Sequence, residues 1–198
     1  MSGDASTRGT GPGRPLGDRH EPITDTARIG SDPVETAVRQ RVALLSTPGV
    51  EIVDCDPALA DTAAFCASYG YALDDSANAI VVAGKADPPR YVMCVVLATT
   101  RLDVNKTVRK RLGTKKASFA DPEATAAITG MTLGGVTPFG LPADMAIWVD
   151  AAVMERARVV VGGGSRAAKV VGPPAMLTEL ANVDVVDGLA VATEPPAG

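Results

Sequence analysis

Apolar positions along the chain recur in two different periods, and these periods predict a succession of helices and strands. The first helix is predicted behind Asp32-Pro33, because aspartate caps a helix and proline suits its first turn. Its apolar residues recur at helical spacing, at Val34, Val38, Val42 and Leu45. Further helices are predicted where a cap signal or a closing glycine bounds an apolar segment, at 59–68, 104–112, 121–128, 151–156 and 173–180.

Short runs of β-branched and other apolar residues predict the strands, at 50–53, 79–83, 91–98, 116–119, 145–149, 159–161, 169–171 and 183–186. The turn at 84–90 contains Asp87-Pro88-Pro89 and predicts a hairpin between the second and third strands. Strands joined by a hairpin therefore occur beside strands joined by helices. This mixture favours an α/β fold with a mixed, partly barrel-like sheet surrounded by helices, over a doubly wound parallel sheet.

The composition favours one domain between two loose ends. The chain has 198 residues, of which 46% are hydrophobic and 21% are charged, enough for one sizeable core. Residues 1–30 carry almost no large apolar side chains and are expected to form a disordered N-terminal extension. We place the domain at 31–190 and a loose C-terminal tail at 191–198. Because the apolar runs are too short to cross a bilayer, we expect no membrane partner. The three cysteines, without C-x-x-C spacing, favour a reduced, cytoplasmic protein.

Histidine and cysteine usage argues against several kinds of site. The single histidine, His20, lies in the predicted extension, and the three cysteines show no C-x-x-C spacing. A zinc site and a histidine-based triad are therefore not expected, and free cysteines suit a reducing compartment. The glycine-rich segments match neither the P-loop nor the G-x-G-x-x-G motif. We therefore expect no metal and no cofactor.

Two glycine-rich segments are the most informative part of the sequence, and we call residues 130–140 the first glycine loop and residues 162–166 the second glycine loop. The first contains four glycines and a proline, which suit neither a helix interior nor a strand interior. Adjacent backbone N–H groups in such turns can hold an anionic oxygen without any side chain. The alternative interpretation is that each segment only turns the chain.

The distribution of charge is more informative than its total. The formal net charge is −4, so no overall basic field attracts nucleic acid. A basic cluster nevertheless lies at 101–116, where Asp103 is the only acid. Its members are Arg101, Lys106, Arg109, Lys110, Arg111, Lys115 and Lys116. The cluster is either a phosphate-binding patch or a solvated helix face.

The order of these pieces carries a resemblance to a known family. The matching segments are the strands at 79–82 and 93–99, the segment 112–116, Thr129-Gly130, the loop at 134–140, the second glycine loop and the helix after Pro173-Pro174. The glycine–glycine–x–x–proline–x–glycine pattern at 134–140 is the most specific of them. Over about residues 33–188 the chain resembles the YbaK/EbsC proteins, which are related to the editing domain inserted in bacterial prolyl-tRNA synthetases.

The resemblance implies an activity as well as a compact, mixed α/β domain. It implies hydrolysis, in trans, of the ester that joins a wrong amino acid to the 3′ end of a tRNA. Water or a ribose hydroxyl of the substrate attacks the acyl carbon, without a metal or a covalent nucleophile. The implied partner is the 3′ acceptor end of an aminoacyl-tRNA that carries a small amino acid, with tRNA-Pro as a candidate. An aminoacyl-tRNA synthetase is a second candidate partner.

The resemblance also assigns the catalytic residues, with one departure. Gly134 and Gly135 are expected to supply backbone N–H donors to the oxyanion. At the position where the family carries an important lysine, this chain has Asn78, which offers neutral donors and an acceptor instead of a positive charge. Asn78 could orient a hydroxyl, a carbonyl or a water, or it could only satisfy local backbone groups. Lys85 in the neighbouring turn could substitute for the lysine, or it is simply solvated.

Further residues are assigned to binding. The candidates for substrate binding are Pro138, Phe139, Gly140, Gly163, Gly164, Ser165 and Asp150. The candidates for nucleic-acid binding are Lys106, Arg109, Lys115, Lys116 and Arg166. Alternatives remain open for three of them. Asp150 could cap the following helical turn, Phe139 could plug the core beneath the loop, and Arg166 could be exposed to solvent.

Two other functions stay open at this point. The missing lysine is compatible with a family member that binds tRNA 3′ ends, aminoacyl groups or nucleotides but hydrolyses weakly or not at all. The acidic chain is also compatible with a hydrolase for a small ester unconnected with tRNA. Deacylation of aminoacyl-tRNA, with Asn78 orienting the reacting groups, is the leading hypothesis.

Overall fold

Helices and strands alternate through residues 32–193, which are the part of the chain that the computed structural model describes. The helices are α1 (Pro33–Ala43), α2 (Thr62–Tyr69), α3 (Arg109–Leu112), α4 (Pro122–Thr129), α5 (Ala151–Met154) and α6 (Ala175–Thr178). The strands are β1 (Glu51–Asp54), β2 (Ala77–Gly84), β3 (Arg90–Leu97), β4 (Thr100–Leu102), β5 (Ala117–Phe119), β6 (Ala146–Asp150), β7 (Val159–Gly162), β8 (Ala168–Gly172), β9 (Val183–Val186) and β10 (Ala190–Ala192). The extension predicted for residues 1–30 lies outside the described residues.

The strands form mixed sheets, which confirms the predicted fold class. The five-stranded sheet has the order β5-β2-β3-β6-β9, in which β3, β6 and β9 run parallel while β5 and β2 are antiparallel to their neighbours. The three-stranded sheet, β1-β8-β7, is antiparallel. A bridge between Ser76 and Val160 links the two sheets beside the start of β2. Within residues 32–193 the sheets do not close into a barrel.

The main core lies where these two sheets face each other. Val81 and Met93 from the five-stranded sheet pack with Val161 and Val170 from the three-stranded one. Helix α1 covers one end of this core through Val38, which is fully buried. A second core on the opposite face of the five-stranded sheet holds the segment of the basic cluster in place. The large sheet is therefore covered on both faces.

Cap residues set the helix boundaries, and one boundary differs from the prediction. Asp32 caps α1 as predicted, since its Oδ1 accepts a hydrogen bond from Val34 N at 2.8 Å. The helix predicted at 59–68 instead begins at Thr62, because Asp56-Pro57 starts only a 3-10 turn, Pro57–Leu59. This break leaves Asp61 and Thr62 at the start of α2, close to the beginning of β2.

The sequence missed one small sheet near the C-terminus. Strand β10 (Ala190–Ala192) pairs antiparallel with β4 (Thr100–Leu102), so ordered structure extends past the domain boundary predicted at residue 190. Both strands have only three residues, which is too short for a period-2 pattern to be recognised. The remaining residues of the predicted tail, 194–198, lie outside the described part of the chain.

Candidate functional site

A cavity of about 330 Å³ lies beside the start of β2. One side is formed by residues 60–62 and Phe65 of the α2 region, and another by residues 76–80 of the β2 region. The first glycine loop contributes residues Leu133, Gly134 and Val136, and β7 contributes residues 160–162. Strand β8 completes the wall with Lys169. Strand β5 pairs with β2 only from residue 82 onward, which leaves the first half of that β2 edge beside the cavity.

The two glycine loops meet at this cavity. Gly164 N donates a hydrogen bond to Gly135 O at 2.8 Å. A Cβ atom at Gly135 would lie 2.5 Å from the backbone carbon of Ser165, far inside van der Waals contact. Gly134 has a φ of +90°, a backbone conformation that favours glycine. Bare backbone is therefore required at both positions, as expected for loops that approach each other closely.

The two predicted oxyanion donors differ in availability. The N–H group of Gly135 already donates to Thr132 O at 3.0 Å, within the loop itself. The N–H group of Gly134 has no acceptor among residues 32–193, and Gly134 lines the cavity. Of the two N–H groups, only that of Gly134 is therefore uncommitted within the described residues.

Asn78 lies on β2 in the cavity wall, where the sequence placed it. Its Oδ1 accepts a hydrogen bond from the Thr62 hydroxyl at 3.3 Å. Within the described residues its amide nitrogen has no acceptor. Asn78 can therefore donate to a substrate oxygen while Thr62 holds the other end of its amide. Thr62 is a cavity residue that the sequence analysis did not identify.

Lys169 is the main site residue that the sequence analysis missed. It lies in β8 opposite Val53 and Gly162 and is only 6% exposed. Its Nζ donates to Ala60 O at 2.6 Å and to Gly134 O at 3.0 Å. Burial lowers the pKa of Lys169 below its ordinary value of 10.5, because a charged ammonium is poorly solvated there.

A signal for Lys169 was present in the sequence. The residues on either side of it in β8, from Ala168 to Gly172, are small or apolar, and all five positions are buried. A half-buried strand normally alternates apolar and polar residues, so a lone lysine in such a run indicates a buried cation. The strand was predicted at 169–171, but Lys169 was not assigned to the site.

Several predicted binding residues of the first glycine loop lie behind the cavity. Phe139 has no exposed surface and packs in the main core, so it plugs the core, which was one of the two interpretations. Gly140, with a φ of +78°, approaches Val38 of α1. Pro138, which directly precedes Phe139 in the loop, is also buried. These residues fix the shape of the loop, and none of the three lines the cavity.

The predicted residues of the second glycine loop also support the site from behind. Gly163 and Gly164 are buried, and Ser165 Oγ donates to Glu35 Oε2 on α1 at 2.6 Å. Of the residues in this loop, only Gly162 lines the cavity. The loop therefore anchors the first glycine loop to α1 and positions it against β7.

Asp150 is a structural cap. Its Oδ1 accepts from Ala152 N at 2.9 Å at the start of α5, and its Oδ2 accepts from Ala190 N at 2.8 Å. The side chain is 5% exposed and both carboxylate oxygens are used. The capping interpretation is therefore the one that the structure shows, and Asp150 is not among the cavity residues.

The basic candidates are spread over two places. The segment that covers the second core exposes Lys106, Lys115 and Lys116. In the same segment the Nε of Arg109 donates to a backbone carbonyl. Arg166 lies at the rim of the cavity, where its Nη1 is 3.3 Å from the Asp61 carboxylate. Lys85 is exposed, as expected for a solvated turn residue. Among residues 32–193, no helix is long and apolar enough to span a membrane.

Comparisons with known proteins agree with the fold. A family model described as the aminoacyl-tRNA editing domain matches residues 56–180, which is more than half of the chain. A crystal structure of a candidate trans-editing enzyme for prolyl tRNA synthetase is 21% identical with a TM-score of 0.67, over 78% of this chain and 96% of that one. The hypothetical protein APE2540 is 24% identical with a TM-score of 0.59, over 69% and 90% of the two chains. At these identities the two structures show a shared fold.

Proposed function

We propose, from the premise that the chain belongs to the aminoacyl-tRNA editing domain family, that it hydrolyses mischarged aminoacyl-tRNA in trans. The observation that carries the proposal is the convergence of donors on one cavity. The cavity is lined by three residues that carry such donors: Gly134 with its backbone N–H, Asn78 with its amide and Lys169 with its ammonium. Such donors suit an ester whose carbonyl oxygen becomes negatively charged during the reaction.

The reaction consists of addition and elimination at the acyl carbon. The oxygen of water bonds to this carbon while the carbonyl electrons move onto its oxygen. When the tetrahedral intermediate collapses, the bond to the ribose oxygen breaks, and that oxygen takes up the proton that the attacking water loses. If a neighbouring ribose hydroxyl attacks first, the ester moves to that hydroxyl, and water then releases the amino acid in a second addition. Gly134 N–H stabilises the oxyanion, and Asn78 orients the attacking oxygen. Removing one donor of this kind lowers the rate by about 10²–10³.

The cavity favours a small amino acid on the tRNA. Its volume of about 330 Å³ must accept the aminoacyl group and part of the terminal adenosine. Once the adenosine occupies its share of this volume, little space remains for a large amino acid side chain. The exposed lysines Lys106, Lys115 and Lys116 would then contact the tRNA backbone, and a small aminoacyl group on tRNA-Pro is the first substrate to examine.

The proposal is tested by single-turnover deacylation in the cytoplasmic range of pH. A panel of tRNAs is charged with correct and incorrect small amino acids, and the protein is added in excess. We expect faster release than in buffer for at least one mischarged tRNA. Release at the buffer rate from every tRNA of the panel would contradict the proposal.

A second function, binding without hydrolysis, is favoured by one specific observation. Asn78 carries no charge, whereas the resemblance implies a lysine at its position, and its Oδ1 is already held by Thr62 at 3.3 Å. The variants Asn78→Lys and Asn78→Ala discriminate the two functions. If the natural protein is a hydrolase, Asn78→Ala loses activity. If deacylation occurs only in Asn78→Lys, the natural protein is a binder of aminoacyl-tRNA ends.

A further inference from the structure

Lys169 is a buried cation that forms no ion pair within residues 32–193, and the Asp61 carboxylate favours its charge only from beyond 4.0 Å. Its ammonium is held by the carbonyl oxygens of Ala60 and Gly134 and lies 5.7 Å from the centre of the Phe65 ring. Among residues 32–193, no carboxylate lies within 4.0 Å of Nζ. Carbonyl dipoles and an aromatic face compensate only part of the lost hydration of a buried charge. A negatively charged or polarised ligand would supply the rest.

The ammonium is also placed where a ligand could reach it. Lys169 lines the same cavity as Gly134 and Asn78. An ammonium carries three N–H groups, and two of them are directed at the carbonyls of Ala60 and Gly134. For the third, residues 32–193 provide no acceptor. The wall of the cavity therefore contains one open, positively charged donor.

Building on the proposed deacylation, we propose that Lys169 is a catalytic residue whose third N–H donates to the acyl oxygen of the aminoacyl ester. When water adds to the acyl carbon, the carbonyl electrons move onto this oxygen and its negative charge faces the ammonium. Lys169 keeps its proton throughout. When the intermediate collapses, the carbonyl re-forms, the ribose oxygen leaves with a proton that originates from the attacking water, and the amino acid is released.

Lys169 supplies the positive charge that Asn78, the polar donor on β2, lacks. A charge-assisted hydrogen bond is roughly twice as strong as a neutral one, so Asn78 cannot replace a cation at the oxyanion. Lys85 is exposed in its turn and is not among the cavity residues. Strand β8 brings the positive charge to the cavity from the opposite side. The same ammonium holds Gly134 O, which fixes the loop that carries the second donor.

The first experiment measures binding without any phosphate. The probe is 3′-aminoacylamino-3′-deoxyadenosine, in which an amide replaces the labile ester, and adenosine is the control ligand that lacks the acyl group. The full chain is compared with Lys169→Met and with the matched surface variant Lys85→Met by titration calorimetry. We expect Lys169→Met to weaken binding of the probe by about tenfold or more and to leave adenosine binding unchanged. Lys85→Met is expected to alter neither.

Equal binding of the probe by Lys169→Met and the natural protein would overturn the inference. A loss that affects the probe and adenosine equally would also overturn it, because Lys169 would then act on the shape of the cavity. If Lys169→Met weakens the binding of tRNA but not that of the probe, the ammonium contacts a phosphate instead, and this result would also overturn the inference.

The second experiment measures the chemistry on the best tRNA substrate. We expect Lys169→Met to lower kcat by about 10²–10³ and to raise KM by no more than the loss in probe binding, because the ammonium binds the oxyanion more tightly than the ester carbonyl. Lys169→Arg is expected to retain more activity than Lys169→Met. An unchanged kcat in folded Lys169→Met would refute the role. If neither variant folds, a crystal structure of the natural protein with the probe decides. An acyl oxygen within about 3.2 Å of Nζ supports the inference, and one beyond about 5 Å overturns it.

The failure of this inference can be told apart from the failure of the proposed function. If the natural protein deacylates no tRNA, the proposed function fails, and the binding of the probe still decides whether Lys169 contacts an acyl oxygen. If the natural protein deacylates tRNA and Lys169→Met does so equally well, only the inference fails.

Discussion

Adding one methyl group at Gly135 is the sharpest test of how the two glycine loops fit together. A Cβ atom there would lie 2.5 to 2.8 Å from the backbone of Ser165, whereas ordinary contacts are 3.4–4 Å. Backbone atoms cannot rotate away as a side chain can, so the loops must separate. Overpacking of this kind costs about 1–3 kcal/mol, and the hydrogen bond from Gly164 N to Gly135 O adds about 1 kcal/mol if it breaks. We expect Gly135→Ala to lower the free energy of unfolding by about 3 kcal/mol.

The matched control is Gly49→Ala, because Gly49 has a φ of +77° and nothing within 4 Å of an added Cβ. Its cost is the backbone strain alone, about 1–2 kcal/mol. Urea unfolding of both variants measures the difference. With a slope of about 2 kcal/mol per molar urea, Gly135→Ala should unfold at a urea concentration lower by about 0.5–1 M than Gly49→Ala. Equal midpoints would refute the close fit of the loops.

Other predictions follow from the buried charges and the exposed lysines. Burial lowers the pKa of Lys169, so the unfolded chain holds that proton more tightly. The free energy of unfolding of the natural protein should therefore rise relative to that of Lys169→Met as the pH increases from the folded-state pKa to 10.5. The rise should be about 1.4 kcal/mol for each unit by which folding lowers this pKa. Urea midpoints of the two proteins that stay parallel across this pH range would contradict the prediction. Asp150→Ala leaves two backbone donors without acceptors and should cost about 2–4 kcal/mol in unfolding, with Asp150→Asn losing less; a cost below 1 kcal/mol would exclude the double cap. Replacing Lys106 and Lys115 by Gln should reduce the salt slope of tRNA binding by about 2 in filter-binding assays, and an unchanged slope would favour a small-ester hydrolase.

The sequence predicted most of the fold because its signals are local. The capped start of α1 at Asp32 and the hairpin of β2 and β3 each depend on neighbouring residues, and both occur as expected. The pairing of β4 with β10 depends on residues about 90 positions apart, in strands of three residues. Such short strands have no readable period, and only the folded chain brings them together.

The residues of the candidate site could be predicted only where local sequence patterns indicated them. Gly134 and Asn78 were named from the sequence through the resemblance, and both line the cavity, while their catalytic roles stay a prediction. The roles of Phe139 and Asp150 could not be decided, because a core residue and a pocket residue can have the same local sequence. Lys169 was missed because its environment comes from Ala60 and Gly134, which are distant in sequence.

The central claim is that the ester is hydrolysed inside the cavity between β2 and the glycine loops. Ala79→Leu tests it most directly, because Ala79 lines the cavity and leucine would fill part of its volume. Single-turnover release of a small amino acid from mischarged tRNA is measured for both proteins, with thermal unfolding as the check on folding. The account predicts release by the natural protein and a rate lower by about 10²-fold in Ala79→Leu. Release at the same rate by both proteins, or no release by the natural protein, would contradict it.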